Sequence, residues 1–125
     1  MPRRIIYGLL AAYWALMFTG THWPGGVRVE QVAKHADKVV HFSGYWLLTI
    51  LLVTAQRATR LQENAPSRLW LRRWGPMVAV VTIYAAFDEL TQPYFRRDAD
   101  ILDWLADVAG MFVAAALCEW RAPPR

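Results

Sequence analysis

The sequence predicts an all-α, polytopic membrane protein, a four-helix transmembrane bundle with both termini in the cytoplasm. Hydrophobic residues make up 56% of the 125-residue chain and charged residues only 19%, which is more apolar surface than a soluble domain of this size buries. The apolar residues form four segments that basic residues bracket, as arginines do at membrane surfaces. The pI is about 9.6, but no basic face emerges, so nucleic acid is not expected as a partner.

The predicted spans lie at about residues 5–20, 38–55, 76–92 and 101–119, within a single domain over residues 1–125. A charge-free span needs about 20 residues, and flanking Trp, Tyr and Arg side chains extend these segments as interfacial anchors. Because backbone groups in lipid must bond to one another, we expect helices. Arg3 and Arg4 precede the first span as in a signal peptide, but no small-residue cleavage site follows, and we expect an uncleaved helix. Residues 27–37 are expected to include a short interfacial helix.

The distribution of charge orients the bundle. With four spans, both termini and the loop at 56–75 share one side, which carries nine basic and two acidic residues. The other side carries five basic residues, eight acidic residues and all three histidines. Lysine and arginine are enriched in cytoplasmic loops. The basic side is therefore expected to be cytoplasmic, and the acidic side is expected to face outward, toward the periplasm or the cell exterior.

Ionisable side chains inside membrane spans are costly and usually functional, and the second span opens with several. Asp37, His41 and Tyr45 are spaced so that they line one helix face. Lys38 lies beside them, and Asp37, Lys38 and His41 also have ordinary interpretations. Asp37 lies where an N-cap belongs, Lys38 can extend to the lipid headgroups, and His41 can be a hydrogen-bonded packing residue.

The third span ends with Asp88, Glu89 and Gln92. Glu89 and Gln92 share a face, and Glu89 lies about one turn inside the span, where a carboxyl needs a partner. Asp88 is expected to point elsewhere and to meet only the membrane interface. Arg96 and Arg97 follow, and they can pair with carboxylates, hold a phosphate or contact headgroups.

The fourth span begins with Asp100, Asp103 and Asp107, which form one stripe with Gly110 and Ala114. Asp100 is an ordinary partner of the helix dipole, but Asp107 lies too deep for that role. Small residues let helices approach closely, within the chain or between chains. The first span is interpreted as a scaffold, and Cys118 as an apolar filler.

Two chemistries suit this gathering of side chains at one depth. An anionic headgroup would be held by Lys38, Arg96 and Arg97, and the expected ligand-binding set is Asp37, Lys38, His41, Tyr45, Glu89, Gln92, Arg97, Asp100, Asp103 and Asp107. A divalent cation is the less favoured alternative, held by the same residues that are candidates for catalysis: His41, Glu89, Asp103 and Asp107. No established metal-binding spacing supports it, so no cofactor is predicted.

Three motifs carry a resemblance to a known family: Asp37-Lys38-x-x-His41-x-x-x-Tyr45, Tyr84-x-x-x-Asp88-Glu89-x-x-Gln92 and Arg97-x-x-Asp100-x-x-Asp103-x-x-x-Asp107-x-x-Gly110. In this order they resemble the VanZ-like family of small bacterial membrane proteins over about residues 5–118. This chain departs from the family pattern in two places. Asp107 stands where the family usually has Asn, and Pro93-Tyr94-Phe95-Arg96 replaces a Pro-Gly turn.

The resemblance implies an envelope role at the outer membrane surface, since the name-giving member is associated with teicoplanin resistance. The first hypothesis is a protein that binds membrane lipids, specifically a lipid-linked or phosphate-bearing ligand at the extracytoplasmic face. The second is a hydrolase or transferase of a lipid headgroup, acting with or without a metal ion, with His41 as acid or base. The third is a non-catalytic membrane component whose polar cluster only locks the helices together.

Overall fold

The computed structural model describes residues 2–23, 34–63 and 70–120, and in these ranges the chain is helical apart from short connections. Four α-helices follow one another: α1 (Arg3–Thr21), α2 (Lys34–Glu63), α3 (Trp70–Thr91) and α4 (Ile101–Trp120), with a 3-10 helix at Gln92–Phe95 before α4. No strand occurs in the described ranges. The all-α prediction is confirmed. The expected interfacial helix at 27–37 falls largely on residues outside these ranges.

Helices that follow one another in the sequence run in opposite directions, so the ends of α1 and α3 lie beside the starts of α2 and α4. The end of α1 meets the end of α3 where Thr21 hydrogen-bonds Asp88, and the start of α2 meets the start of α4 where Lys38 pairs with Asp103. We call this the polar end. At the opposite end, Trp74 of α3 donates a hydrogen bond to Glu119 of α4, 3.1 Å away. The fold thus brings together residues that lie far apart in sequence.

The most extensive helix interface joins α2 to α4, and the core lies along it. Tyr45 and Leu48 of α2 pack with Met111 of α4, all with no solvent exposure. Gly110 permits this closeness because a Cβ there would overlap the carbonyl oxygen of Phe42 and lie only 3.2 Å from the Trp46 nitrogen. Gly110 therefore packs within the chain, which decides a point that the sequence left open.

Among the residues that the structure describes, two segments are long and apolar enough to cross a membrane, Ala36–Ala58 within α2 and Ile101–Trp120 in α4. Two of the four predicted spans, the second and the fourth, therefore have the length and hydropathy of a membrane span. The other two helices also expose large apolar side chains, in α1 Ile5, Leu9 and Leu16, and in α3 Val80, Ile83 and Leu90. Exposed apolar surface of this extent on a small chain is typical of contact with lipid or another protein.

Candidate functional site

Three ionisable side chains from three helices meet in the interior of the polar end. His41 Nδ1 lies 3.0 Å from Asp107 Oδ1 and 3.7 Å from Glu89 Oε1. All three side chains are buried, and Asp107 has no solvent exposure. The spacing along each helix aims them inward, so α2, α3 and α4 each contribute one member. We call these residues the inner triad.

The connection between α3 and α4 holds Glu89 in place. The Gln92 side chain donates a hydrogen bond to Oε1 of Glu89, and the backbone N–H of Asp100 donates one to Oε2, each at 3.0 Å. Both oxygens of this carboxylate therefore have fixed partners. Since one partner is a backbone group just before α4, the orientation of Glu89 depends on how α4 begins.

Lys38 lies above the inner triad and joins α2 to the start of α4. Its ammonium donates hydrogen bonds to Asp100 and to Asp103, both at 2.8 Å. Asp100 lies outside the membrane-spanning segments, and its hydrogen bonds from Lys38 and from the backbone N–H of Leu102 lower its pKa from the usual 3.8. Asp103 is buried, whereas about 41% of the Asp100 side chain is exposed. Lys38 thus connects the interior to the surface.

Arg97 closes the side of the polar end near α1. One of its amino groups donates a hydrogen bond to the carbonyl of Thr21 at 3.3 Å, and the other lies 3.6 Å from Asp37 Oδ1. The preceding residue, Arg96, has a left-handed conformation with φ of 61°. That conformation favours glycine, which is the residue expected in a Pro-Gly turn. The turn therefore forms without glycine, and it leaves the Arg96 side chain exposed and Arg97 partly buried.

Asp88 does not meet the membrane interface as the sequence suggested. Its side chain is fully buried, and Thr21 donates a hydrogen bond to Oδ1 at 2.8 Å. His22 Nδ1 lies 3.5 Å from the same oxygen, while His22 Nε2 lies 2.7 Å from the hydroxyl of Thr91. The prediction was wrong because the end of α1 covers this face of α3. The first helix is thus more than a scaffold.

Several buried polar atoms near the inner triad have no hydrogen-bond partner among the described residues. They include the hydroxyl of Tyr45, whose ring centroid lies 6.1 Å from that of Tyr84 on the facing helix. One oxygen of Asp88 and one of Asp107 are in the same situation. An unpaired buried polar atom costs about 1–3 kcal/mol. The interior of the polar end therefore has unused capacity to bind a polar species.

Side-chain hydrogen bonds and close ionic contacts join seven of the ten expected ligand-binding residues in one set, and Asp37 and Arg97 form a pair beside it. The tenth, Tyr45, is buried one turn below His41. Sequence reasoning missed Thr21, His22 and Thr91. Their signal was the position of Thr21 and His22 just after the first span, at the depth of the other polar groups. Chemically, the set offers two partly exposed cations at its rim and a histidine with two carboxylates inside.

When the chain is compared with known proteins, one family model matches it. The family model described as VanZ/LLP1 matches residues 2–121, nearly the whole chain. No curated protein and no solved structure gives a significant match.

Proposed function

This chain belongs to the VanZ/LLP1 family, and we propose that it binds a phosphate-bearing lipid headgroup at the outer face of the bacterial cytoplasmic membrane. The observation that carries the proposal is the pair of cations at the rim of the polar end, Lys38 and Arg97, with side chains 30% and 23% exposed. Lys38 lies near the start of α2 and Arg97 in the connection before α4, where both side chains would meet lipid headgroups. An envelope role of the glycopeptide-resistance type is part of this proposal.

The membrane setting rests on two independent supports. Family membership and the two apolar helices indicate a membrane protein. Four crossings extend this to α1 and α3, whose exposed isoleucine, leucine and valine side chains would face lipid. The excess of basic residues at the opposite end would keep that end in the cytoplasm. The polar end would then face outward.

A phosphate would reach the rim by exchange with carboxylates. Lys38 is paired with Asp100 and Arg97 with Asp37, and these two carboxylates are 41% and 43% exposed. Their side chains can therefore rotate toward the solvent when a phosphate takes their place. Phosphate oxygens bind lysine and arginine through charge-assisted hydrogen bonds, each worth about 1.5–3 kcal/mol.

Lipid analysis of the purified protein tests this proposal. We expect phosphate-bearing lipid to co-purify with the native chain, and Lys38→Gln or Arg97→Gln to lower the amount of lipid bound per protein about tenfold. Arg4→Gln is the matched control, because Arg4 is an exposed cation at the opposite end. If both rim variants retain native occupancy, headgroup binding at this rim is excluded.

A second candidate function is hydrolysis or transfer of the headgroup. It is favoured by the 3.0 Å contact between His41 and Asp107, because a carboxylate that orients a histidine is a common general-base arrangement. His41→Gln would then abolish release of headgroup phosphate while lipid stays bound.

A third candidate is a structural role, in which the polar cluster only locks the helices together. It is favoured by the dense pairing of the cluster. In that case the rim variants would lower the unfolding temperature and leave lipid occupancy unchanged.

A further inference from the structure

We propose that the inner triad of His41, Glu89 and Asp107 binds one divalent transition-metal ion, Zn²⁺ or Mn²⁺. The site is separate from the rim cations to which the headgroup is assigned. It can therefore be present or absent whatever lipid the protein binds. Its support is the spacing of the three ligand atoms, the burial of the site and one unpaired oxygen.

The spacing of the ligand atoms suits a shared ion. One nitrogen and two carboxylate oxygens lie within 4.8 Å of one another. Ligand atoms about 2.0–2.2 Å from one ion are themselves about 3.0–3.6 Å apart. His41 Nδ1 lies 3.0 Å from Asp107 Oδ1 and 3.7 Å from Glu89 Oε1. The longer distance exceeds a hydrogen bond, yet it is close to the separation of two ligands on one metal.

The second observation is the unpaired oxygen of Asp107. Its Oδ2 has no hydrogen-bond partner in the described part of the chain. Water cannot supply one from outside, because the side chain has no solvent exposure. Two buried carboxylates beside one histidine also leave negative charge that needs compensation. A divalent cation would supply that charge and give Asp107 a second partner. One imidazole with two carboxylates is a donor set that suits zinc and manganese.

The surroundings of the inner triad are those of an ordered metal site. Gln92 and the backbone N–H of Asp100 hold Glu89 by hydrogen bonds, and such outer contacts orient ligands. His41 also belongs to an overlapping group with Asp37 and Asp103. Asp37 is partly exposed, so this second group lies between the rim and the interior. It gives an ion a stepwise path from the surface to the inner triad.

Metal titration of tag-free protein, after dialysis against a chelator and without added lipid, tests the site. We expect the native chain to bind one equivalent of Zn²⁺, or of Mn²⁺ measured by electron paramagnetic resonance. Glu89→Gln and Asp107→Asn should each weaken binding about tenfold to a hundredfold. Asp88→Asn is the matched control, an equally buried acid outside the inner triad, and it should bind as the native chain does. Absence of saturable binding by the native chain, or native affinity in both triad variants, would overturn the proposal.

X-ray absorption at the zinc edge gives a second measurement that does not depend on how the carboxylate variants fold. The native protein loaded with one equivalent should show a single imidazole and oxygen neighbours. The imidazole signal should disappear in His41→Gln and persist in His22→Gln. Loss of the signal in His22→Gln, or its persistence in His41→Gln, would place the ion elsewhere and reject the site.

Discussion

Thr21 at the end of α1 donates a 2.8 Å hydrogen bond to Asp88, a fully buried acid of α3. This contact ties the first helix to the third across the polar end. His22, the next residue, reaches Thr91 of α3 with its Nε2 at 2.7 Å. The end of α1 therefore shields a carboxyl that would otherwise face the membrane interface.

Thr21→Val tests the energetic weight of this contact. Valine has the shape of threonine but lacks the donor, so Asp88 loses its shortest hydrogen bond in the interior. We expect the free energy of unfolding to fall by about 1–3 kcal/mol, measured as a lower unfolding temperature in detergent. Thr19→Val is the control, because the Thr19 hydroxyl is exposed and bonds only within its own helix. Equal unfolding temperatures for the two variants would contradict this role.

Gly110→Ala should disturb the main helix interface. The new methyl group would overlap the Phe42 carbonyl oxygen, and backbone atoms cannot move aside as a flexible side chain does. We expect α2 and α4 to separate and stability to fall by about 1–3 kcal/mol or more. Gly8→Ala is the matched control, since nothing lies within 4 Å of a Cβ there, and alanine favours a helix over glycine. A Gly110→Ala variant as stable as Gly8→Ala would refute the close packing.

The sequence predicted the four helices and the buried face of α4 because apolar runs and helical spacing determine them. Apolar runs gave the helices, and spacings of three and four residues placed Asp103, Asp107 and Gly110 on one face of α4, which the structure shows buried. Such spacing does not reveal which neighbour covers a given face. That is why Asp88 was assigned to the interface, about 100° around the helix from Glu89. The direct pairing of Lys38 with two aspartates also depends on how each helix is rotated, which one sequence does not specify.

The pairing of Lys38 with Asp100 predicts a pH dependence. Because the pKa of Asp100 is lowered in the folded protein, its contribution to stability is complete above the unfolded value of about 3.8. The contribution is lost as the pH falls through the lower, folded pKa. Lys38→Met should return the Asp100 pKa toward 3.8, measured by carbon NMR of the carboxyl group. Arg4→Met should leave the titration as it is in the native protein, and an unchanged curve in Lys38→Met would contradict the pairing.

Asp107→Asn should leave the metal-free protein folded. Asparagine keeps the size of aspartate. Its carbonyl oxygen can take the place of Asp107 Oδ1, which lies 3.0 Å from His41 Nδ1, and accept the same hydrogen bond. We expect the free energy of unfolding in chelator to differ from that of the native chain by less than about 1 kcal/mol, so the unfolding temperature should change little. Asp107→Leu should cost about 3 kcal/mol or more, since it removes the carboxylate that pairs with the buried His41. Similar unfolding temperatures for the two variants would show that the contact with His41 contributes little.

Chemical labelling in membrane vesicles tests which way the bundle faces. Tyr94 near the polar end is 85% exposed, and Trp120 at the opposite end is 82% exposed, so a cysteine at either position is accessible. In a Cys118→Ala background, Tyr94→Cys should react with a membrane-impermeant maleimide applied from the periplasmic side. Trp120→Cys should react only after the membrane is permeabilised, because the basic residues near that end favour a cytoplasmic location for it. The reverse pattern would invert the orientation, and labelling of both from one side would rule out an odd number of crossings between them.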